Sequence, residues 1–298
     1  MPRGATSKTN DKMHELNPLM REWLDDRATM PFWKGSTPRL DYRFLERLLG
    51  GTLAMGGDPI HSGKFANALD LWVACELEHA GFVDEGLWPR AAEPRVLDPT
   101  VARAARLPAG GSRGLIEACG STDASVMGSV YAKQVDVGMA SWPSGPELLI
   151  STKTMSGSFG KNLANRFEEA YGDVKNLRTR HPLAAHGFLF LARDTLATEG
   201  AAFERAVHML RQLSRAGDAY DAVCLLLVAW DDQTMDIDEN GEVVGLPRVC
   251  ATPEAASLVP EDLSAERFFA TVIDLVLARA PIDAHVVARR ARAGAVDV

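Results

Sequence analysis

The chain is predicted to be an α/β protein, with a mixed central β-sheet flanked by helices and a helical N-terminal region. Two observations support this prediction. Between residues 126 and 230, short apolar runs alternate with stretches of helical periodicity. Before residue 83, apolar residues recur at helical spacing instead. We therefore expect a mainly helical region over residues 1–111, serving recognition or dimerisation, and an α/β core over residues 112–298.

The strongest element predicted in the N-terminal region is a helix over residues 65–82, FANALDLWVACELEHAGF, which Gly81 is expected to end. Residues 1–12 are polar and without periodicity, so we expect them to be disordered. The other helices predicted ahead of the first strand are two short ones within residues 16–49 and one each near residues 100–106 and 113–119.

The core is predicted to begin with strands at residues 126–139 and 147–155, joined as a hairpin through a Trp-Pro-Ser-Gly-Pro connection. A helix over residues 159–177 follows, with an apolar face that includes Phe159, Leu163 and Phe167. The remaining predicted elements are a strand at 187–192, a helix at 201–216, a strand at 222–230 and a helix at 264–279.

Composition sets broad limits on function. The chain has 298 residues, 46% hydrophobic and 24% charged, as in ordinary globular proteins. No apolar run reaches the roughly 18 residues of a membrane span, and no signal peptide is recognisable, so we expect a cytoplasmic protein without a membrane partner. Four widely spaced cysteines fit reduced thiols. The net charge of −8 excludes a generally basic surface but not a local nucleic-acid site.

Two charged residues interrupt the predicted apolar strands, Asp136 on the first and Lys153 on the second. Buried charges are rare unless they are paired. Ser151 and Lys153 are two residues apart on a strand and therefore face the same side, next to Asp136 on the neighbouring strand. A carboxylate there can bind Mg²⁺, and a lysine beside it can position a water and offset developing charge. This combination suits metal-assisted cleavage of a phosphodiester.

A second acid is expected, because one carboxylate makes a weak metal site and Ser151 cannot supply another. Glu168 and Glu169 are candidates, since their helix starts where the strand of Lys153 ends. Glu147, at the start of that strand, is a further candidate.

The segment from residue 151 to 182 is basic within an acidic chain, with six Lys and Arg against three Asp and Glu. Amide and guanidinium groups suit contacts with phosphates and base edges. We expect nucleic acid to be held by Lys161, Asn162, Asn165, Arg166, Arg178 and Arg180.

An acid on one strand and a lysine on the next resemble the PD-(D/E)xK nuclease superfamily, the fold of most type II restriction endonucleases. Asp136 matches the first acid of the motif and Lys153 matches the lysine. Ser151 stands where the motif has Asp or Glu, as in restriction enzymes that carry SxK and recruit a glutamate from the next helix. Glu168 and Glu169 lie fifteen and sixteen residues after the lysine. The resemblance covers roughly residues 113–230.

The resemblance implies a restriction-endonuclease-like core and a Mg²⁺-dependent endonuclease acting on double-stranded DNA. Asp136 with Glu168 or Glu169 would hold the metal, and Ser151 and Lys153 would complete the catalytic set. In this family a helix ahead of the strands often lends a glutamate, for which Glu76 and Glu78 are candidates, although a solvated helix face is the simpler interpretation of both. A homodimer is the simplest assembly, because cutting a duplex needs two active sites.

Two other interpretations stay open. A protein with a nuclease fold could bind DNA without cutting it, which Ser151 would permit. An unrelated α/β protein, such as a partner subunit, could use Asp136 and Lys153 as a structural ion pair. A calcium loop at residues 236–241 is disfavoured, because its twelfth position would be Pro247 rather than glutamate.

Overall fold

The computed structural model describes residues 16–54, 63–82, 86–90, 124–141, 143–215, 217, 219–229, 248–249 and 257–294. It confirms the predicted α/β class with a mixed central sheet flanked by helices. Three sequence-based expectations lie outside these ranges, namely disorder at 1–12 and the helices near 100–106 and 113–119, and so does the disfavoured calcium loop at 236–241. The predicted boundary between residues 111 and 112 also lies outside them.

The helices are α1 (Asn17–Arg27), α2 (Tyr42–Ala54), α3 (Lys64–His79), α4 (Phe159–Arg180), α5 (Gly200–Arg215), α6 (Ala265–Arg279) and α7 (Val286–Gly294). Their ends agree with sequence signals. Gly81 adopts a φ of 101° just after α3, a conformation that favours glycine. The Ser264 hydroxyl caps α6 by accepting a hydrogen bond from the Arg267 N–H.

The strands are β1 (Trp33–Lys34), β2 (Thr37–Pro38), β3 (Leu87–Trp88), β4 (Ser125–Met127), β5 (Ala132–Gln134), β6 (Val137–Ser141), β7 (Gly145–Met155), β8 (Ala185–Arg193), β9 (Ala222–Ala229) and β10 (Arg248–Val249). Six of them form the central sheet in the order β10-β9-β8-β7-β6-β3. Strands β7, β8 and β9 are parallel, whereas β6 is antiparallel to β7 as the predicted hairpin requires. Helices α4 and α5 make the crossovers that parallel neighbours need.

The sheet separates two hydrophobic cores. Alternate residues of the strands, such as Ile150 and Leu189, pack with α1, α2, α3 and α6 on one face. The residues between them, such as Phe188 and Phe190, pack with α4 and α5 on the other face. The N-terminal helices therefore share a core with the sheet. Among the described residues, no helix combines the length and apolar character needed to cross a membrane.

The single strand predicted at residues 126–139 is wrong in detail, because this segment is divided into β4, β5 and β6. Strands β4 and β5 form a separate hairpin, closed where the Gly128 N–H donates to the Tyr131 carbonyl at 2.9 Å. A bend at Asp136 then separates β5 from β6. The pattern of alternating hydrophobic residues does not reveal the turn between β4 and β5 or the bend at Asp136, because the residues on both sides of each break are compatible with a strand.

Asp221, the residue immediately before β9, connects three elements. Its carboxylate accepts a hydrogen bond from the His186 N–H at 2.8 Å and contacts Arg178 and Arg279 at 3.0 and 3.1 Å. Burial opposes ionisation, but hydrogen bonds from the two arginines outweigh it and lower the pKa of Asp221. The network ties α4 and α6 to the sheet.

We expect Asp221→Asn to reduce the free energy of unfolding by about 2 kcal/mol, because charged hydrogen bonds to both arginines are lost. A lowered carboxyl pKa adds stability above the unfolded-state value and loses it as pH falls through the folded-state value. The difference from wild type should therefore be present at neutral pH and fade in acid. Urea unfolding of the variant and of wild type, at neutral pH and in acid, measures this difference in stability. An unchanged midpoint at neutral pH would contradict the assigned role of Asp221.

Candidate active site

Asp136 lies in the bend immediately before β6 and faces the middle of β7. Its Oδ2 atom accepts hydrogen bonds from the Ser151 hydroxyl at 3.1 Å and from the Thr152 N–H at 2.9 Å. The last residue pair between β6 and β7 at this end is Val137 with Ile150. Beyond that pair, the Asp136 carboxylate accepts the hydrogen bond that the Thr152 N–H of β7 would otherwise donate to a neighbouring strand. The sequence-based expectation that Asp136 lies beside Ser151 agrees with this geometry.

A second acid reaches the same position from the opposite direction. Asp70, on α3, is buried, and its Oδ1 atom accepts a hydrogen bond from the Thr152 hydroxyl at 2.6 Å. Thr152 points to the face of the sheet covered by α3, whereas Ser151 and Lys153 point to the face covered by α4. Thr152 therefore contacts both carboxylates, Asp136 through its N–H and Asp70 through its hydroxyl.

The two acids affect each other electrostatically. Burial, followed by the charge of Asp136, raises the pKa of Asp70 well above its ordinary value. Burial also raises the pKa of Asp136, against the opposing effects of the Thr152 N–H and the charge of Lys153. Two neighbouring carboxyl groups in a buried site cannot both ionise cheaply. A proton or a bound cation relieves the repulsion between them.

Lys153 is paired with Glu169 rather than with Glu168. Its Nζ atom lies 3.0 Å from Glu169 Oε1, and Arg166 lies 3.4 Å from the other carboxylate oxygen. Burial opposes ionisation of Glu169, but the hydrogen bond and charge of Lys153 lower its pKa. Glu168 lies on an exposed part of α4. Of the two glutamates expected to complete the site, Glu169 is thus the one in contact with Lys153.

The other sequence-predicted residues have different surroundings. Glu147 lies at the far end of β7 and binds His285 at 2.7 Å and Ser141 at 2.8 Å. Glu76 is buried away from solvent and accepts the Asp41 N–H at 2.7 Å. Both acids have structural partners outside the Asp136 site.

The expected DNA contacts divide into two groups. Arg178 forms an ion pair with Asp221 and donates a hydrogen bond to the Ala219 carbonyl, so its guanidinium group already has partners within the protein. The others are exposed along α4 and at its end: Lys161, Asn162, Asn165, Arg166 and Arg180.

Sequence reasoning missed Asp70, although a signal for it exists. It stands between Leu69 and Leu71 in a helix whose residues from Ala68 to Leu77 are all buried. An acid within such an apolar helix requires a partner, by the same argument that selected Asp136 and Lys153. The acids of this helix that were predicted as candidates were Glu76 and Glu78, near its end.

The pair of acids fits a magnesium ion in its donor atoms. Mg²⁺ prefers oxygen ligands and is commonly held by one or two carboxylates, with waters and substrate phosphate oxygens completing the shell. Asp70 and Asp136 would supply these carboxylates. Across the described ranges no group of three or more His, Cys, Asp or Glu is placed to hold a metal.

Comparisons with known proteins add no family to this geometry. No family model, curated protein or solved structure matches the chain.

Proposed function

We propose that the protein is a Mg²⁺-dependent endonuclease that hydrolyses phosphodiester bonds in double-stranded DNA, as type II restriction enzymes do. The observation that carries the proposal is the placement of two carboxylates, the buried Asp70 and the half-buried Asp136, on Thr152, next to Lys153 on the same strand. Structural ion pairs rarely place two acids together in a buried position, whereas a cation site requires it.

Each residue has a distinct task in this proposal. Asp70 and Asp136 would hold the metal, which when bound polarises the scissile phosphate and lowers the pKa of a water. The Ser151 hydroxyl orients Asp136 through its hydrogen bond. Lys153 would position the attacking water and offset charge on the phosphate. The attacking water loses one proton to solvent as its oxygen bonds to phosphorus, the bond to the leaving sugar oxygen breaks, and that oxygen takes up one proton from solvent, so that one water is consumed for each bond cut.

The surface of α4 suits the substrate. Lys161, Asn162, Asn165, Arg166 and Arg180 are exposed and offer cations and amides to a phosphate backbone. Glu169 would hold Lys153 in place until the phosphate arrives. The proposal includes a homodimer, because each strand of a duplex needs an active site, and a cytoplasmic location.

Plasmid cleavage tests the proposal directly. Wild type is expected to nick or linearise supercoiled DNA with Mg²⁺ and to leave it intact with a chelator. Lys153→Ala should be inactive under the same conditions. Failure of wild type to bind or cut any DNA at low salt would reject the nuclease and leave a structural role for the acids.

One observation favours a second candidate, a protein that binds DNA without cutting it. Asp136 already has two donors within the chain, so its position can be satisfied without a metal. In that case wild type would bind duplex DNA, Mg²⁺ would not alter its melting temperature, and no product would form.

Replacing Glu168 and Glu169 of α4 tests whether one of them, rather than Asp70, is the second metal ligand beside Asp136. We expect Glu168→Gln to leave cleavage unchanged and Glu169→Gln to alter its rate by no more than about fivefold, because a partly exposed ion pair contributes about 1 kcal/mol or less. Steady-state cleavage rates measure both variants. If either substitution abolishes cleavage, a glutamate of α4 rather than Asp70 is the second ligand.

A further inference from the structure

The hairpin of β4 and β5, here called the ribbon (residues 125–134), is fixed rigidly on α4. The Asn176 side chain accepts hydrogen bonds from the Val130 and Tyr131 N–H groups at 2.8 and 3.3 Å and donates to the Tyr131 carbonyl at 3.0 Å. The Ser129 N–H donates to the Asn176 carbonyl at 2.8 Å. Four hydrogen bonds to one residue define the position of the ribbon tip.

One side of the ribbon packs on α4 while its tip is open to solvent. On the inner side, Lys133 binds Asp173 at 2.6 Å. Toward solvent, Met127 is 53% exposed and Val130 is 82% exposed. The Tyr131 ring is 44% exposed, and its hydroxyl donates to Asp173 at 3.1 Å, which fixes the orientation of the ring. Apolar side chains held out by a rigid hairpin indicate a contact surface.

The ribbon tip is close to the candidate active site along α4. Asn176, which holds the tip, is seven residues after Glu169, or about 10 Å along the helix. At its other end, the ribbon finishes two residues before Asp136. The exposed side chains of Asn165 and Arg166 lie on the opposite side of Glu169. A DNA strand with a phosphate at Lys153 would therefore have α4 cations on one side and the ribbon tip on the other.

We infer that the ribbon is a DNA-contact element, whose tip residues Val130 and Tyr131 enter a groove of the duplex beside the scissile phosphate. A two-stranded ribbon fits the major groove, which is about 12 Å wide, and apolar side chains there contact base edges such as the thymine methyl group. The exposed cations of α4 supply the complementary charge for the flanking phosphates. This inference depends on the proposed function, to which it adds the structural element that contacts the base edges of the DNA substrate.

Charge substitutions at the tip test the inference. Binding is measured by fluorescence anisotropy of a labelled duplex at low salt, with Ca²⁺ replacing Mg²⁺. Val130→Asp should weaken binding about tenfold, whereas Val130→Lys should bind as tightly as wild type or more tightly. Both variants place a charge on the same exposed residue, so their folding should be equally affected. Ile282→Asp, at a residue 90% exposed in the segment between α6 and α7, is the matched control and should bind normally.

Tyrosine variants separate base contact from structure. Tyr131→Phe loses the bond to Asp173 but keeps the ring, so it should retain wild-type affinity. Tyr131→Ala should bind about tenfold more weakly, since the apolar contact of the ring with base edges is lost. Equal losses of DNA affinity in both variants would mean that Tyr131 only stabilises the ribbon, and would overturn its assigned contact with the bases.

The outcomes also separate this inference from the proposed function. If wild type binds and cuts DNA but Val130→Asp behaves like wild type, the ribbon inference alone is overturned. If wild type binds no duplex, the proposed function fails and the inference fails with it. A change in the oligomeric state of DNA-free Val130→Asp, measured by light scattering, would identify the tip as a protein contact and also overturn the inference.

Discussion

Asp136→Asn is expected to lower the rate of plasmid cleavage about a thousandfold, equivalent to roughly 4 kcal/mol of transition-state stabilisation. The amide oxygen can replace Oδ2 as the acceptor of the Ser151 and Thr152 hydrogen bonds, so the local fold should persist. What is removed is the negative charge that would hold the metal.

The control for this prediction is Asp262→Asn. Asp262 is a surface acid paired with Arg211 at 2.8 Å, and its replacement removes the same charge away from the site. It should cut at the wild-type rate. If Asp136→Asn retains normal melting and normal cleavage, Asp136 is not a ligand and the assignment of the site is incorrect.

Asp70→Asn is expected to abolish cleavage as completely as Asp136→Asn but to make the protein more stable. Asparagine can still accept the Thr152 hydrogen bond, while the cost of a buried acid next to Asp136 is removed. We expect a gain of about 1 kcal/mol at neutral pH, or roughly 2–4 °C in melting temperature. Stabilisation with loss of activity is characteristic of residues that serve function at a cost to the fold.

The pH dependence of this gain has a definite sign. A carboxyl group whose pKa is raised on folding holds its proton longer in the folded state, so stability falls as pH rises above the unfolded-state value of 3.8. The advantage of Asp70→Asn should therefore be absent below this pH and grow as pH rises. Thermal melts across this range measure it. A variant less stable than wild type at neutral pH would contradict the electrostatic account of Asp70.

The sequence predicts most of the fold because its signals are local. The helix over residues 159–177 and the strands that follow have clear periodicity, and their observed bounds differ by only a few residues. The segment from residue 126 to 139 was predicted less well. Its division depends on contacts with distant residues, namely Asn176 for the ribbon and Thr152 for the bend at Asp136.

The candidate site is only partly predictable for a related reason. Asp136, Ser151 and Lys153 belong to two strands adjacent in the chain, so spacing is enough to bring them together. Asp70 lies 66 residues before Asp136, and its proximity depends on how α3 packs against β7. Periodicity places Asp70 on a helix but does not specify which strand that helix covers.

Arg178 illustrates the opposite error. Its position in a basic segment predicts a phosphate contact, yet its guanidinium is held by Asp221, which lies just before β9 and more than forty residues later in the chain. Charge counts along a segment do not show which cations already have partners in the fold.

The most direct test of the central claim is to count divalent cations held by Asp70 and Asp136. Mn²⁺, which also favours oxygen ligands, can be titrated by electron paramagnetic resonance into the protein mixed with duplex DNA, and the ions bound by the same DNA alone are subtracted. The account predicts at least one bound ion per wild-type chain and its loss in both Asp70→Asn and Asp136→Asn, but not in Asp262→Asn. Wild-type protein without bound Mn²⁺, or Asp70→Asn with undiminished binding, would contradict it.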